Sequence, residues 1–350
     1  MVLPGDGIGP EITTAALEVL RAVDSKHELA LNIEIADIGL KTFAEVGPTL
    51  PESVLTQLRY TSGVILGPVS HHEYPPKAEG GYNPSAELRV QLDLFANVRP
   101  CRSRFDMSIL RAPMDLVIVR ENTEGFYSDR NMYAGSGEFM PDRDSAFSIR
   151  KVTARASARV ARAAFELARD RRKKVTAVHK ANVVKLSDGL FLREVRRVAE
   201  EYPDVELHEL IVDAAAAALI RRPDSFEVIV TTNMFGDILS DEASELSGSL
   251  GLGGSLNVGD DLAMAQAQHG SAPDIVGRGI ANPTSLLLST AMLLDWRGRR
   301  DDNASLTAAA ADIESAVEAT LADPSTRTGD LDGPLSTREF SEQVVRALHD

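Results

Sequence analysis

Apolar and polar positions along this chain switch repeatedly between a helical and a strand-like period. A helical pattern runs from Pro10 to about Asp24, and the alternation "LNIEIAD" at 31–37 predicts a strand. Pro51 opens a short helix in "PESVLTQL", and "GVILG" at 63–67 reads as a buried strand. Helical spacing returns near 85–95, and "DLVIV" at 115–119 is another buried strand. The pattern then predicts helix 153–170, strand 174–178, helix 187–200, strand 205–212, helix 213–222 and strand 226–231. The tail from 303 is helical and alanine-rich, broken at "DPSTRTGDLDGPLS". This order predicts α/β layers around a mostly parallel sheet. One stretch departs from it. Residues 128–152, "SDRNMYAGSGEFMPDRDSAFSIRKV", place a Gly-Ser-Gly turn between possible strands, and the length favours a hairpin arm over a plain loop.

Composition narrows the reading. A chain of 350 residues accommodates two domains or one large one. The net charge of −15 argues against a nucleic-acid surface. The one dense basic run, "RDRRKK" at 169–174, closes a helical pattern and reads as a solvated helix end. No apolar run reaches membrane-spanning length, and no basic start leads into an apolar segment, so neither membrane nor secretory signal is expected. The single cysteine, Cys101, excludes an internal disulfide and a cysteine zinc cluster, and fits a reducing cytoplasm.

"LPGDGIGPEI" at 3–12 imitates a dinucleotide-binding glycine loop. The imitation fails on spacing. Three residues after Gly7, where the fingerprint needs a third glycine, stands Pro10. Asp37 after "LNIEIAD" imitates the ribose-binding acid. The better reading is a tight strand-to-helix turn.

Four stretches can carry chemistry. In "TTNMFGDILSDEASELSGSLGLGGSLNVG", Asp237 and Asp241 lie four apart, so both carboxylates share one helix face. Oxygen ligands at that spacing suit Mg²⁺ or Mn²⁺; acids near a helix start are the plainer alternative. Arg89 and Arg99 in "LRVQLDLFANVRP" and Arg120 in "VIVREN" can fork onto carboxylates, where surface ion pairs are the alternative. Arg120 directly follows a buried-looking strand, where an unpaired charge is costly. Lys180 follows a strand at its carboxyl end, where α/β sites gather, and serves either as a base or as a loop lysine. The loop "QHGSAPDIVGRGIANP" at 268–283 is suited to wrapping a nucleotide or to an ordinary connection.

Taken in order, "PGDGIGPE", "LRxxLDLFANVRP", "VRENTEG", "HKANVVKLSDGLF", the metal-helix stretch, "HGSAPDI" and "ANPTSLLLSTAMLL" resemble the β-decarboxylating dehydrogenases over almost the whole chain. That family comprises isocitrate, homoisocitrate, isopropylmalate, tartrate and D-malate dehydrogenases. The resemblance implies the isocitrate/isopropylmalate dehydrogenase-like fold, with two α/β domains around a mostly parallel sheet, and not a Rossmann fold. It implies a discontinuous cofactor domain, 1–94 with 248–350. A smaller domain, 95–247, would carry the dimer contacts and the arm. Arg89, Arg99 and Arg120 would clamp the malate part of the substrate. Asp237 and Asp241 would hold the divalent metal, with Asp213 supplied by the second subunit of a homodimer. Lys180, the base, and Asn182, a substrate contact, would also reach across, and Tyr127 would be the catalytic acid. Whether dimers pair into tetramers is left open.

The cofactor, by the same resemblance, lies along "HGSAPDI", and the "PGDGIGPE" turn with Ile8 only borders it. His269, Gly270, Ser271, Ala272, Asp274, Ile275 and Asn282 would line the adenosine pocket. Asp274 would accept the ribose hydroxyls and repel a 2′-phosphate, so NAD is expected over NADP. Isopropylmalate members carry an apolar pair before the first clamp and "RELTGG" after the strand; here stand "GGYNPSAELR" and "RENTEG". Isocitrate members carry serine then asparagine six and four residues before the arginine. Here those positions are Asn83 and Ser85, exchanged, and both can hydrogen-bond a carboxylate. His179 matches the isocitrate and homoisocitrate members, while Ala86 stands where some homoisocitrate members have a basic residue. The expectation is NAD- and metal-dependent oxidative decarboxylation of a 3-substituted (R)-malate, with isocitrate or homoisocitrate first. Tartrate, D-malate or 3-isopropylmalate oxidation is the near alternative. A non-catalytic regulatory subunit is the distant one, disfavoured because Lys180, Tyr127 and all three aspartates are present. Family members usually have a fuller strand before "PGDGIGP"; with only "MVL" here, a short or shortened first strand is expected.

Overall fold

The computed structural model describes residues 1–104, 107–110, 112–127 and 131–349. The chain divides into a discontinuous unit, Met1–Leu92 with Leu250–Asp350, and a central unit, Asp93–Ser249. The first segment of the discontinuous unit contains β1 (Val2–Leu3), α1 (Gly9–His27), α2 (Leu40–Val46), α3 (Glu52–Leu58), β2 (Val64–Leu66) and α4 (Pro84–Gln91). The central unit opens with β3 (Ala96–Arg102), β4 (Asp115–Glu121), β5 (Glu138–Asp142), β6 (Ser145–Ser148), α5 (Ala154–Arg169) and β7 (Lys174–His179). It closes with α6 (Ser187–Ala199), β8 (Glu206–Ile211), α7 (Val212–Arg221), β9 (Val228–Thr231) and α8 (Asn233–Ser247). The chain then returns through β10 (Leu256–Val258), β11 (Ala263–Gln266), α9 (Thr284–Arg300), α10 (Ala304–Ala322) and α11 (Thr337–Ala347).

In the central unit the strand order is β3-β4-β9-β7-β8. Only β3–β4 is antiparallel; β4–β9, β7–β9 and β7–β8 are parallel. Both faces of this sheet are covered, which is why "DLVIV" reads as an unbroken apolar run. Val117 and Val119 belong to a core with Phe165, Phe191 and Val195 from α5 and α6. Leu116 and Ile118 point the other way, into a core with Leu219 and Leu239 from α7 and α8. One strand thus feeds two cores through its period of two.

In the discontinuous unit the order is β1-β2-β11-β10, parallel except for β10–β11. The helices α1, α9, α10 and α11 pack on one another, with Ile12, Val19, Leu286, Val317 and Phe340 fully buried. Among the described residues no helix is long and apolar enough to cross a membrane.

Several expectations need correction. "LNIEIAD" forms no strand. It meets β1 at one bridge, Val2 with Ile35, since β1 is only two residues long and too short to carry a full ladder. The strands β3, β10 and β11 and the helix α2 have no counterpart in the pattern reading. In the arm, Gly-Ser-Gly precedes β5, and the turn falls between Asp142 and Ser145. Residues 128–130, at the start of that stretch, lie outside the described residues. "RDRRKK" is not simply solvated. The backbone N–H groups of Arg172 and Lys174 both donate to the buried carboxylate of Glu227.

Candidate active site

The glycine turn after β1 is built for close approach. Gly5 and Gly7 have positive φ, and a Cβ on Gly7 would collide with the Ser271 carbonyl. Ile8 N–H donates to Ser271 O at 2.9 Å, and Ser70 Oγ pairs with Ser271 Oγ at 2.8 Å. The buried Asp6 accepts from Leu40 N at 2.8 Å and Ser70 N at 3.0 Å, and also from the Tyr74 hydroxyl. The turn therefore carries the 268–283 loop on its back, and its acid is used structurally.

That loop contains an unsatisfied donor or acceptor. His269 Nδ1 lies 3.0 Å from Gly270 O, while its buried Nε2 has no hydrogen-bond partner among the described residues. Burial pushes the imidazole below its ordinary pKa, which favours the neutral ring. A Cβ on Gly270 would meet nothing within 4 Å, which leaves open space at the residue that follows His269. Ala272 holds a left-handed φ of 42°, a strained conformation for a residue with a Cβ. Asp274 and Ile275 follow on a single 3₁₀ turn, Pro273–Ile275, with Asp274 exposed. Asn282 is held at both ends, donating to Asp330 at 3.0 Å and accepting from Thr284 N at 3.0 Å. Asp330 was not marked by any sequence pattern; it sits in the break of the helical tail. A buried ring nitrogen without a partner, followed by a glycine with room beside it, fits a loop that takes a bound nucleotide.

On α4, Asn83 is the N-cap, its Oδ1 accepting from Ala86 N at 3.3 Å. Ser85 Oγ and Arg89 Nη2 both donate to Gln266 Oε1, at 3.1 and 3.2 Å. Gln266 is a second residue that the sequence reading passed over.

In the central unit two buried arginines meet two carboxylates. Arg99 on β3 donates from Nη1 to Ser240 Oγ at 2.7 Å and Asp241 Oδ1 at 3.0 Å. Its Nη2 lies 3.3 Å from Asp237 Oδ1. Burial, then the charge of Arg120, pulls the Arg99 guanidinium below its ordinary pKa. Arg120 on β4 is only 2% exposed. It donates from Nε and Nη2 to Asn233 Oδ1 at 2.9 and 2.6 Å, from Nη2 to Tyr127 OH at 2.7 Å, and from Nη1 to Asp237. Tyr127 OH in turn donates to Asp237 Oδ2 at 3.0 Å. Gly236 makes this possible, because a Cβ there would strike the Arg120 stem. The structure thus brings together Arg99, Arg120, Tyr127, Asp237 and Asp241. Two carboxylates one helical turn apart are hard oxygen donors, a set that suits Mg²⁺ or Mn²⁺.

Lys180, past the end of β7, pairs instead with Asp213 at the start of α7. The Lys180 ammonium holds the Asp213 carboxyl below its usual range. The Lys180 backbone N–H donates to buried Asp188, which also pairs with Arg150. Asn182 is exposed on the same loop. Asp213 does not join Asp237 and Asp241 within one chain, and among the described residues no three His, Cys, Asp or Glu side chains group as metal donors.

A family model described as isocitrate/isopropylmalate dehydrogenase matches residues 1–344. The chain belongs to the isocitrate/isopropylmalate dehydrogenase family. It is 42% identical over 348 residues to the isocitrate/homoisocitrate dehydrogenase of Thermus thermophilus, covering 99% of this chain and 97% of that one. It is 41% identical over 350 residues to the 3-isopropylmalate dehydrogenase of Methanothermobacter thermautotrophicus, covering 100% and 98%. Among solved structures, isocitrate dehydrogenase from Methylococcus capsulatus superposes with a TM-score of 0.85 at 39% identity, covering 100% and 98%. The fold is therefore that of this family and not a Rossmann fold. The protein is a decarboxylating dehydrogenase acting on a hydroxy acid. Members of the family generally use NAD(P) with Mg²⁺ or Mn²⁺, and are often dimeric.

Proposed function

We propose that this enzyme oxidatively decarboxylates a 3-substituted (R)-malate with an added carboxylate, of isocitrate or homoisocitrate type, using NAD and Mg²⁺ or Mn²⁺ in a cytoplasmic homodimer. The observation that carries the reading is the cluster of Arg99, Arg120 and Tyr127 around Asp237 and Asp241. It offers carboxylate-binding forks, metal-type oxygens and a proton donor together. Arg89, Arg99 and Arg120 bind substrate carboxylates. Asp237 and Asp241, with Asp213 of a second subunit, hold the metal, which when bound supplies Lewis acidity at the hydroxyl and at the developing enolate. Lys180, reaching from the partner with Asn182, takes the hydroxyl proton, and Tyr127 returns a proton to carbon after CO₂ leaves.

His269, Gly270, Ser271, Ala272, Ile275 and Asn282 hold the adenosine end of the cofactor, with Ile8 at its border. Exposed Asp274 accepts the ribose hydroxyls and repels a 2′-phosphate. The substrate reading rests on α4. The Asn83 oxygen faces its own helix, so its amide N–H₂ is the donor available to a substituent carboxylate. No apolar pair stands there to receive an isopropyl group.

The test is NADH formation with Mg²⁺ or Mn²⁺ across D-isocitrate, homoisocitrate, isopropylmalate, D-malate and tartrate, each with NAD and NADP. Highest kcat/KM for a tricarboxylate with NAD supports the reading. Isopropylmalate ranking first, or NADP exceeding NAD, overturns the corresponding half of it.

A further inference from the structure

The arm returns to the central unit through Arg150, two residues past β6. That exit is held by the main chain. Ile149 N donates to Gly137 O at 2.7 Å, and Gly125 and Lys151 exchange two bonds, at 3.0 and 2.9 Å. The Arg150 guanidinium lies 5.6 Å from the centre of the Phe126 ring and 5.2 Å from that of Phe235. Nη2 donates to Thr232 Oγ1 at 2.8 Å, and Nη1 to Ser187 Oγ at 3.3 Å. Nη1 also stands 2.5 Å from Oδ1 of Asp188, whose side chain is fully buried. No hydrogen bond from the described residues reaches that oxygen, so its ion pair with Arg150 is what compensates it. The other oxygen, Oδ2, accepts from the Lys180 backbone N–H at 2.5 Å. Lys180 O accepts from Val183 N at 2.9 Å and from Val184 N at 3.0 Å. Both main-chain polar groups of Lys180 are thus fixed where β7 gives way to a turn, and they set where its side chain starts.

We propose that Arg150 is a positioning residue for Lys180, acting through Asp188, and that it ties the placement of the base to the arm. The proposal rests on the reading of Lys180 as a base that serves the partner's site. A buried carboxylate that loses its cation is costly and turns towards water or any donor within reach. The Lys180 N–H is then released, and the lysine starts from a looser turn. A catalytic group displaced by about an ångström costs roughly 100-fold in rate. On the homodimer reading the arm is also a surface covered by the second copy, so one side chain joins arm packing to delivery of the base. The same side chain has a rival role. Phe126 precedes Tyr127, and Phe235 lies two residues before Asp237, so the rival is support of its own chain's site.

The two roles differ in which site fails. On whichever acid the parent turns over best, Arg150→Met should lower kcat roughly 10- to 100-fold and leave KM within about threefold, since a base acts on the chemical step. Arg150→Lys keeps a cation for Asp188 and should stay within about fivefold of the parent kcat. Unchanged kcat in Arg150→Met overturns the proposal. The deciding measurement refolds Arg150→Met in equal amounts with Tyr127→Phe and, separately, with Lys180→Ala. If Arg150 acts on Lys180, its defect travels to the partner's site. Each mixed dimer with Tyr127→Phe then holds one intact site, and that mixture recovers about a quarter of parent activity. The mixture with Lys180→Ala recovers nothing. The reverse pattern assigns Arg150 to its own chain's site and overturns the proposal. So does recovery in neither mixture, when the control of Lys180→Ala with Tyr127→Phe does recover. Failure of that control sinks the shared-site reading instead, and the coupling is then read within one chain. There Arg150→Met, Asp188→Leu and the two together should lower kcat by the same factor, and losses that multiply overturn the proposal. If Arg150→Met does not fold, Asp188→Leu replaces it in both mixtures with the same expectations.

Discussion

Asn233 Oδ1 accepts two hydrogen bonds from the Arg120 guanidinium, at 2.9 Å from Nε and 2.6 Å from Nη2. Its Nδ2 donates to Glu124 O at 2.8 Å, so one buried amide ties the start of α8 to the backbone after β4. The same Nη2 reaches Tyr127 OH, so the orientation of the tyrosine depends on the asparagine. Asn233→Ala leaves two guanidinium N–H groups and a carbonyl buried without this partner. A stability loss of about 1–3 kcal/mol is expected, with kcat/KM lowered roughly 10- to 100-fold through misplacement of Arg120. Urea unfolding and steady-state kinetics check both. Unchanged kcat/KM in a folded variant would show that Arg120 is held well enough by Asp237 and Tyr127.

Glu124 gives a pH signature. Burial, with the neighbouring Glu121 charge, pushes its carboxyl up to about 7. The unfolded chain titrates it near the ordinary glutamate value of about 4.3. Between those values the folded state holds the extra proton. This group therefore imposes no penalty at low pH, a growing one as pH rises towards 7, and a constant one above. The penalty is on the order of 3 kcal/mol. Glu124→Gln can keep the bond from Thr153 N, now 2.7 Å long, and removes the titration. It should stabilise the protein at pH 8, and the gain should vanish by pH 4. Urea unfolding at the two pH values reads the difference directly. An equal effect at both would refute the assignment.

What could be read from the sequence follows physical lines. Buried strands were legible where both faces are apolar, as in "DLVIV". "ANVRPCR" was not, because Arg99, Pro100 and Arg102 break any apolar pattern, although all seven residues pair with β4. "LNIEIAD" alternates well and still forms no strand, since hydropathy carries no information on the length of its neighbour β1. Arg120 stood out because a charge after an apolar run demands a partner, and Asp237 is that partner. Asn233 and Gln266 did not. An amide leaves no mark on charge or periodicity, and the donors lie 113 and 177 positions away in the chain. Gly236 belongs to the same class: its meaning is the Arg120 stem that crosses it.

Lys180 and Asp213 form an ion pair within this chain. As the proposed base, Lys180→Ala should lower kcat by roughly 10²- to 10⁴-fold while acid binding stays within a few-fold. Stopped turnover with intact calorimetric binding is the expected pair of results. Turnover unchanged by the substitution would remove Lys180 from the mechanism.

Phe139 and Phe147 stand opposite each other on β5 and β6, stacked 5.3 Å apart and each about half exposed (51% and 52%). A two-stranded sheet is marginal alone, and an apolar face on it calls for a cover. A second copy of the arm is the cover that the homodimer reading requires. Phe139→Asp with Phe147→Asp should therefore shift the dimer towards monomer in sedimentation, and turnover should fall with it. Whether sites are shared between chains has its own test. Lys180→Ala and Tyr127→Phe are each expected to be nearly inactive as homodimers. If Lys180 serves the partner's site, a mixed dimer of the two carries both defects in one site and none in the other. Refolding them together in equal amounts makes half of the dimers mixed, so activity should return to about a quarter of the parent value. If each chain instead completes its own site, every site keeps one defect and mixing restores nothing.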